Sequence, residues 1–90
     1  MATHKSAEKE HRRSLARRER NRHKRARLRT AIKKFRAAVA EGDLEKARGM
    51  LPGTVALLDR TAKVRAIHPG AADRAKSRLT RLLNRTAAAG

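Results

Sequence analysis

Apolar positions recur at spacings of three and four through most of this chain and never settle into alternation, which predicts helices and no strands. Leu28, Ile32, Phe35 and Val39 form one series. Leu44, Ala47, Leu51, Val55, Leu58 and Ala62 form a second, and Ala72, Ala75, Leu79, Leu82 and Leu83 a third. Ser6 is the expected N-cap of the first helix, with Glu8 and Glu10 in its positive first turn. Nothing interrupts the chain from there to Gly42, so that helix runs for about 35 residues, or about 50 Å. Asp43 caps the second helix. Pro52 falls inside a stripe that keeps its phase, so a kink or brief break is expected there and not a separate element. Ile67-His68-Pro69-Gly70 is the next punctuation, and a third helix follows from about Gly70.

On a helical wheel with Arg12 at zero, Leu28, Ile32, Phe35 and Val39 fall between about 140° and 200°, a narrow apolar stripe. Arg29, Lys33, Lys34 and Arg36 lie on the other side, so residues 28–40 are amphipathic. The first half of the helix has no such division. Arg17, Lys24 and Arg25 fall between about 120° and 220°, where the stripe should be. Arg18, Arg20, Arg22 and Arg27 fill the remaining azimuths. Leu15 is the only large apolar side chain between Met1 and Leu28. A helix that is basic all round has no core to pack on, and like charges at i, i+4 oppose it. Residues 1–27 are therefore expected to be frayed alone and helical against phosphates.

The fold class that follows is all-α: a three-helix bundle whose very long first helix extends beyond the bundle as a basic arm. One domain is expected over residues 1–90, with the arm at 1–27, the bundle at 28–86 and a frayed tail at 87–90. The expected core is Leu28, Ile32, Phe35, Val39, Leu51, Val55, Leu58, Leu79 and Leu82.

Charge turns this architecture toward function. The 90 residues carry 25 Lys and Arg against 8 Asp and Glu, a formal net charge of +17. Residues 1–36 hold 15 of those cations and 3 acids, residues 37–68 hold 5 and 4, and residues 69–90 hold 5 and 1. Such a charge repels itself unless a polyanion neutralises it. The arm has no apolar face to bury in a membrane interface, and no apolar run approaches the roughly 20 residues of a span. The charged start, with Lys5, Glu8 and Lys9, leads us to expect no secretory signal. Absence of cysteine removes disulfides and thiol chemistry and fits a reducing compartment.

Nucleic acid is then the expected partner. The apolar stripe of residues 28–40 is too short for a leucine zipper, and a helix charged on every side suits a crevice between several phosphate backbones better than one DNA groove. With one Phe and no Tyr or Trp, base stacking on aromatic platforms is not available. Recognition of structured RNA by shape and phosphate is the leading reading; an architectural DNA-binding protein of the nucleoid is the alternative.

The chain also resembles the S-twenty family of bacterial small-subunit ribosomal proteins, nearly end to end. The matching segments are Thr3-His4-Lys5-Ser6-Ala7, Arg20-Asn21-Arg22, Arg29-Thr30-Ala31-Ile32-Lys33-Lys34-Phe35, Gly42-Asp43, Leu57-Leu58-Asp59-Arg60, Ile67-His68 and Ala71-Ala72-Asp73-Arg74-Ala75-Lys76-Ser77-Arg78-Leu79. Thr3, Ala66, Pro69, Gly70 and Ala75 depart from the family's usual residues. The resemblance implies a helical bundle inserted into small-subunit (16S) ribosomal RNA, binding early in assembly, with few or no protein neighbours. RNA contacts are expected from His4, Lys5, Ser6, Lys9, Arg12, Arg13, Arg17, Arg18, Arg20, Asn21, Arg22, Lys24, Arg25, Arg27, Arg29, Thr30, Lys33 and Lys34. Arg74, Lys76, Ser77 and Arg78 on the third helix are expected to add a second contact.

No site for other chemistry is expected. His4, His11, His23 and His68 lack metal-ligand spacing, and Ser6, Ser14 and Ser77 have no base beside them. Glu8–Arg12, Glu19–His23 and Asp59–Lys63 fit i, i+4 pairs. No cofactor, metal, small-molecule substrate or catalytic activity is expected.

Overall fold

A computed structural model describes residues 2–89, with side chains described from 4 to 89; Met1 and Gly90 of the expected arm and tail lie outside the described residues. Three helices follow in order: α1 (Ala2–Ala40), α2 (Leu44–Lys63) and α3 (Pro69–Ala89). There is no strand among the described residues. The molecule is drawn out, 68 × 20 × 14 Å, because α1 is about twice as long as either partner. Helix α2 packs against both neighbours, whereas α1 and α3 meet over only a short stretch.

The helix ends follow side-chain and backbone chemistry, with one correction. Helix α1 starts at Ala2, so Ser6 lies inside it and caps nothing. No glycine or proline precedes Ser6 to stop the helix from running back past it. The other end behaves as expected. Gly42 takes a φ of 80°, its N–H donates to the Val39 carbonyl at 3.0 Å, and the Asp43 N–H donates to Ala38 at 3.1 Å. This is a Schellman closure with glycine in the left-handed position. The Asp43 carboxylate then accepts from the Lys46 N–H at 3.2 Å, capping α2.

Pro52 does not break α2, which runs unbroken from Leu44 to Lys63. Arg48, the residue that loses its hydrogen-bond donor to the proline ring, is exposed together with Gly49, Pro52 and Gly53. The missing bond thus lies on the solvent side, where water can replace it. The C-terminus of α2 repeats the closure of α1, but with Arg65 in the left-handed position at φ 61°. Its N–H donates to Ala62 at 2.9 Å, and the Ala66 N–H donates to Thr61 at 3.0 Å. Helix α3 opens on Pro69, a favoured first helical residue. His68 caps it: its Nδ1 accepts from the Gly70 N–H at 2.9 Å. A Cβ on residue 70 would stand 3.1 Å from that ring nitrogen, so a larger residue here would push the capping ring back by a few tenths of an ångström. The far end of α3 continues through Ala87, Ala88 and Ala89 where fraying was expected, and Ala87 is half-buried.

Leu28, Phe35, Val39, Leu58 and Leu79 are buried as the pattern predicts, with Phe35 at zero exposure. Ile32, Leu51 and Leu82 are half-buried against them. Val55 is half-buried outside that cluster, and its expected place is taken by Thr54. The buried face of α2 is Ala47, Thr54, Leu58 and Thr61, and that of α3 is Ala72, Leu79 and Leu83. Two buried threonines are tolerated because each hydroxyl donates to a carbonyl four residues back, Thr54 to Met50 at 3.0 Å and Thr61 to Leu57 at 2.6 Å.

Candidate nucleic-acid interface

From residue 4 to residue 27 every side chain of α1 is exposed except Ser14 and Asn21, which are half-buried. At about 1.5 Å per residue, the part of this stretch before Lys24 projects about 30 Å. His4, Lys5, Ser6, Lys9, Arg12, Arg13, Arg17, Arg18, Arg20 and Arg22 all stand on this free shaft. Among the described residues, Arg22 is the only Lys or Arg of the arm with an acidic partner, Glu19 at 3.3 Å. Glu19 also meets His23 at 3.2 Å, as the spacing predicts. Glu8 turns back to His4 at 3.3 Å and not forward to Arg12. These are solvent-exposed pairs of little net strength, so the shaft's charge stays available.

The arm joins the bundle earlier than residue 28. The Arg25 guanidinium crosses to the α2–α3 turn and donates to the Ala66 carbonyl at 3.4 Å. Lys24 and Arg27 line a cleft against the end of α2. Of the arm's expected contacts, Lys24, Arg25 and Arg27 therefore stand at the junction, with Arg25 committed in part to holding the turn. Arg29, Lys33 and Lys34 are exposed on the back of the packed half. Thr30 is exposed too, and its hydroxyl donates to Ala26 at 3.0 Å.

On α3 the four expected residues divide. Arg74, Ser77 and Arg78 are exposed. Lys76 is instead a clasp between helices: its Nζ lies 2.8 Å from the Asp59 carboxylate of α2 and 3.4 Å from Asp73. Asp59 was expected to pair with Lys63, but the helix packing brings Lys76 to it. The hydrogen bond to Asp59, then that to Asp73, holds the Lys76 ammonium above its ordinary pKa. Its ammonium is shared between two exposed carboxylates of the protein itself.

Three further cations line two separate clefts together with the expected ones. Arg36 on α1 lines a cleft of about 220 Å³ with Arg74 and Arg78 on α3. Arg60 and Lys63 on α2 share the junction cleft with Lys24 and Arg27. Arg36 falls on the same side of the wheel as Arg29, so that signal was present. Arg60 and Lys63 were hidden by averaging, since residues 37–68 are almost neutral as a block.

Among the described residues, no three or more His, Asp or Glu side chains are placed to hold a metal ion. No helix of the described residues is long and apolar enough to cross a membrane. What the arrangement offers is a rod of cations on a packed base, with further cations converging where helices meet.

Comparison with known proteins gives the same direction. Residues 2–84 match the family described as Ribosomal protein S20. The small ribosomal subunit protein bS20 of Citrifermentans bemidjiense is 45% identical over 84 residues, 93% of this chain and 97% of its own. The protein of that name from Geotalea daltonii is 45% identical over the same shares. That from Maridesulfovibrio salexigens is 41% identical over 87 residues, 97% of this chain and all of its own.

Proposed function

The chain belongs to the ribosomal protein S20 family, and from that premise we propose that it binds 16S ribosomal RNA directly through its arm and aids early folding of that RNA. As a member it is a structural component of the small ribosomal subunit, at work in the cytoplasm within the ribosome, and its family is not one of enzymes. The observation that carries the RNA reading is the exposed, many-sided distribution of cations along residues 4–27. A flat nucleic-acid surface would engage one side of such a rod. Converging phosphate backbones engage all of it, each contact releasing condensed counterions. The bundle supplies direction: packing of Leu28, Phe35 and Val39 fixes the axis along which the shaft enters the RNA.

Few protein neighbours are expected on the same grounds. Leu15 and Val64 are the large apolar side chains that the described surface exposes, and they lie far apart along the chain, short of the apolar patch that a stable protein interface needs. The test is binding of the full chain to 16S RNA across a salt series, with duplex DNA as competitor. If about 6–10 phosphates are contacted, affinity falls about 10³–10⁵-fold between 50 and 200 mM monovalent salt. A flat plot of log affinity against log salt, or equal competition by duplex DNA, would overturn the reading. For the assembly role, adding the protein before other small-subunit proteins should speed formation of its RNA site more than adding it last.

A further inference from the structure

The cleft at the junction of arm and bundle has a composition that phosphate contact alone does not call for. It encloses about 280 Å³ between α1 and the end of α2. Four cations stand around it, Lys24 and Arg27 from α1 and Arg60 and Lys63 from α2. Its floor is apolar, made by Leu57 and Val64. Val64 is 47% exposed. The Thr61 hydroxyl in the same cleft already donates to its own helix, so it adds no free donor there.

A phosphate group gains from the cations and nothing from the floor. An uncharged protein segment would gain from the floor and leave four cations unneutralised. A nucleotide fits both parts, since its base has an apolar face and its neighbours in the strand carry phosphates on either side. We infer that this cleft receives one unstacked nucleotide of the bound RNA, its base against Val64 and Leu57 and its flanking phosphates on Lys24, Arg27, Arg60 and Lys63. The inference rests on the RNA reading above and adds what the shaft cannot supply, a fixed register along the strand.

A neighbouring cleft, which shares Lys63 with this one, is lined by Arg65. Arg65, next in the chain after Val64, holds the left-handed backbone conformation that Gly42 holds at the other turn. Glycine would close the helix there with less strain. The chain keeps a cation there, beside Lys63.

The test uses the full chain and 16S RNA, with affinity, salt dependence and base-by-base chemical reactivity of the RNA as readouts. Val64→Ser should leave thermal unfolding nearly unchanged, because the side chain is exposed. It should weaken binding by about fivefold with no change in salt slope, while one unpaired base regains reactivity. Arg60→Gln with Lys63→Gln should lower the salt slope by about 1.4, the loss of two phosphate contacts. Wild-type affinity for Val64→Ser with all base protections kept overturns the nucleotide site. Weaker binding without any change in base reactivity overturns it equally, by reducing the cleft to phosphate contact. Arg17→Gln with Arg18→Gln in the same assay judges the arm separately: lost affinity there upholds the RNA reading even where the cleft fails.

Discussion

The two halves of α1 share one unbroken helix and almost nothing else. From Leu28 onward one side is buried, with Phe35 at zero exposure and Ala38 and Val39 nearly so. Before Lys24 there is no buried side chain among the described residues. Tertiary packing supports the helix in one half; in the other the backbone hydrogen bonds stand against lateral repulsion between cations. Helical form therefore has two origins within 39 residues. The packed half is helical because of what it buries; the shaft, expected to fray alone, is helical in the structure on its own backbone hydrogen bonds.

The comparison is broken most forcefully at Phe35. Phe35→Ala removes the one aromatic side chain from a fully buried position and should cost about 3–5 kcal/mol, close to the whole stability of a bundle this small. Thermal unfolding followed by circular dichroism would show the loss, and a cost below about 1 kcal/mol would mean that the packed half is not packed.

Next comes the shaft. Arg17, Arg18, Arg20 and Arg22 all changed to Gln should lower the salt slope of RNA binding by about 3–4 and affinity by about 10–100-fold. The free protein should unfold at the same temperature or higher, since repulsion is relieved. Amides 4–20 should exchange rapidly with solvent in the free protein and slowly in the RNA complex. Slow exchange without RNA would mean that the shaft needs no neutralisation to be helical.

A smaller effect separates two cations on α3. Arg78→Gln should weaken RNA binding several-fold, whereas Lys76→Gln should change it less than twofold because Asp59 and Asp73 already hold that ammonium. The clasp also has a pH signature. Its contribution to folding is fully present below the ordinary lysine pKa and is lost only as pH rises through the raised value, so unfolding of wild type and Lys76→Gln should converge in strong alkali.

The smallest expected effect is at the second turn. Arg65→Gly relieves a left-handed residue at the cost of a looser unfolded chain and should stabilise the free protein by less than about 1 kcal/mol. If Arg65 is kept for RNA, affinity should fall in the same variant; stability and binding rising together would remove that reason.

Much of this was legible in the pattern of apolar positions. The three helices, the Gly42–Asp43 turn and the Leu28–Val39 stripe are local features, set by residues three and four apart. What escaped was set by partners elsewhere in the chain. Asp59 pairs across 17 residues with Lys76 and not within its helix, and Arg25 reaches 41 residues to Ala66. Thr54 displaced Val55 in the core because its hydroxyl finds a carbonyl inside its own helix, which a hydropathy pattern does not register. His68 stands exposed, and it is the backbone after it, not its spacing from other histidines, that makes it a cap.

The length of the molecule has a kinetic meaning as well. Of the net charge of +17, residues 1–36 carry 12 more cations than acids, and they lie along a body 68 Å long and at most 20 Å across. That places the centre of charge well away from the centre of mass and gives the protein an electrical head and tail. In the field of a polyanion such a body feels a torque before it makes any contact, and it turns to arrive shaft first. Orientation, ordinarily the slow part of finding a specific surface, is then largely achieved during the approach. Association should be fast at low salt, and raising the ionic strength should slow it by weakening the alignment as well as the attraction.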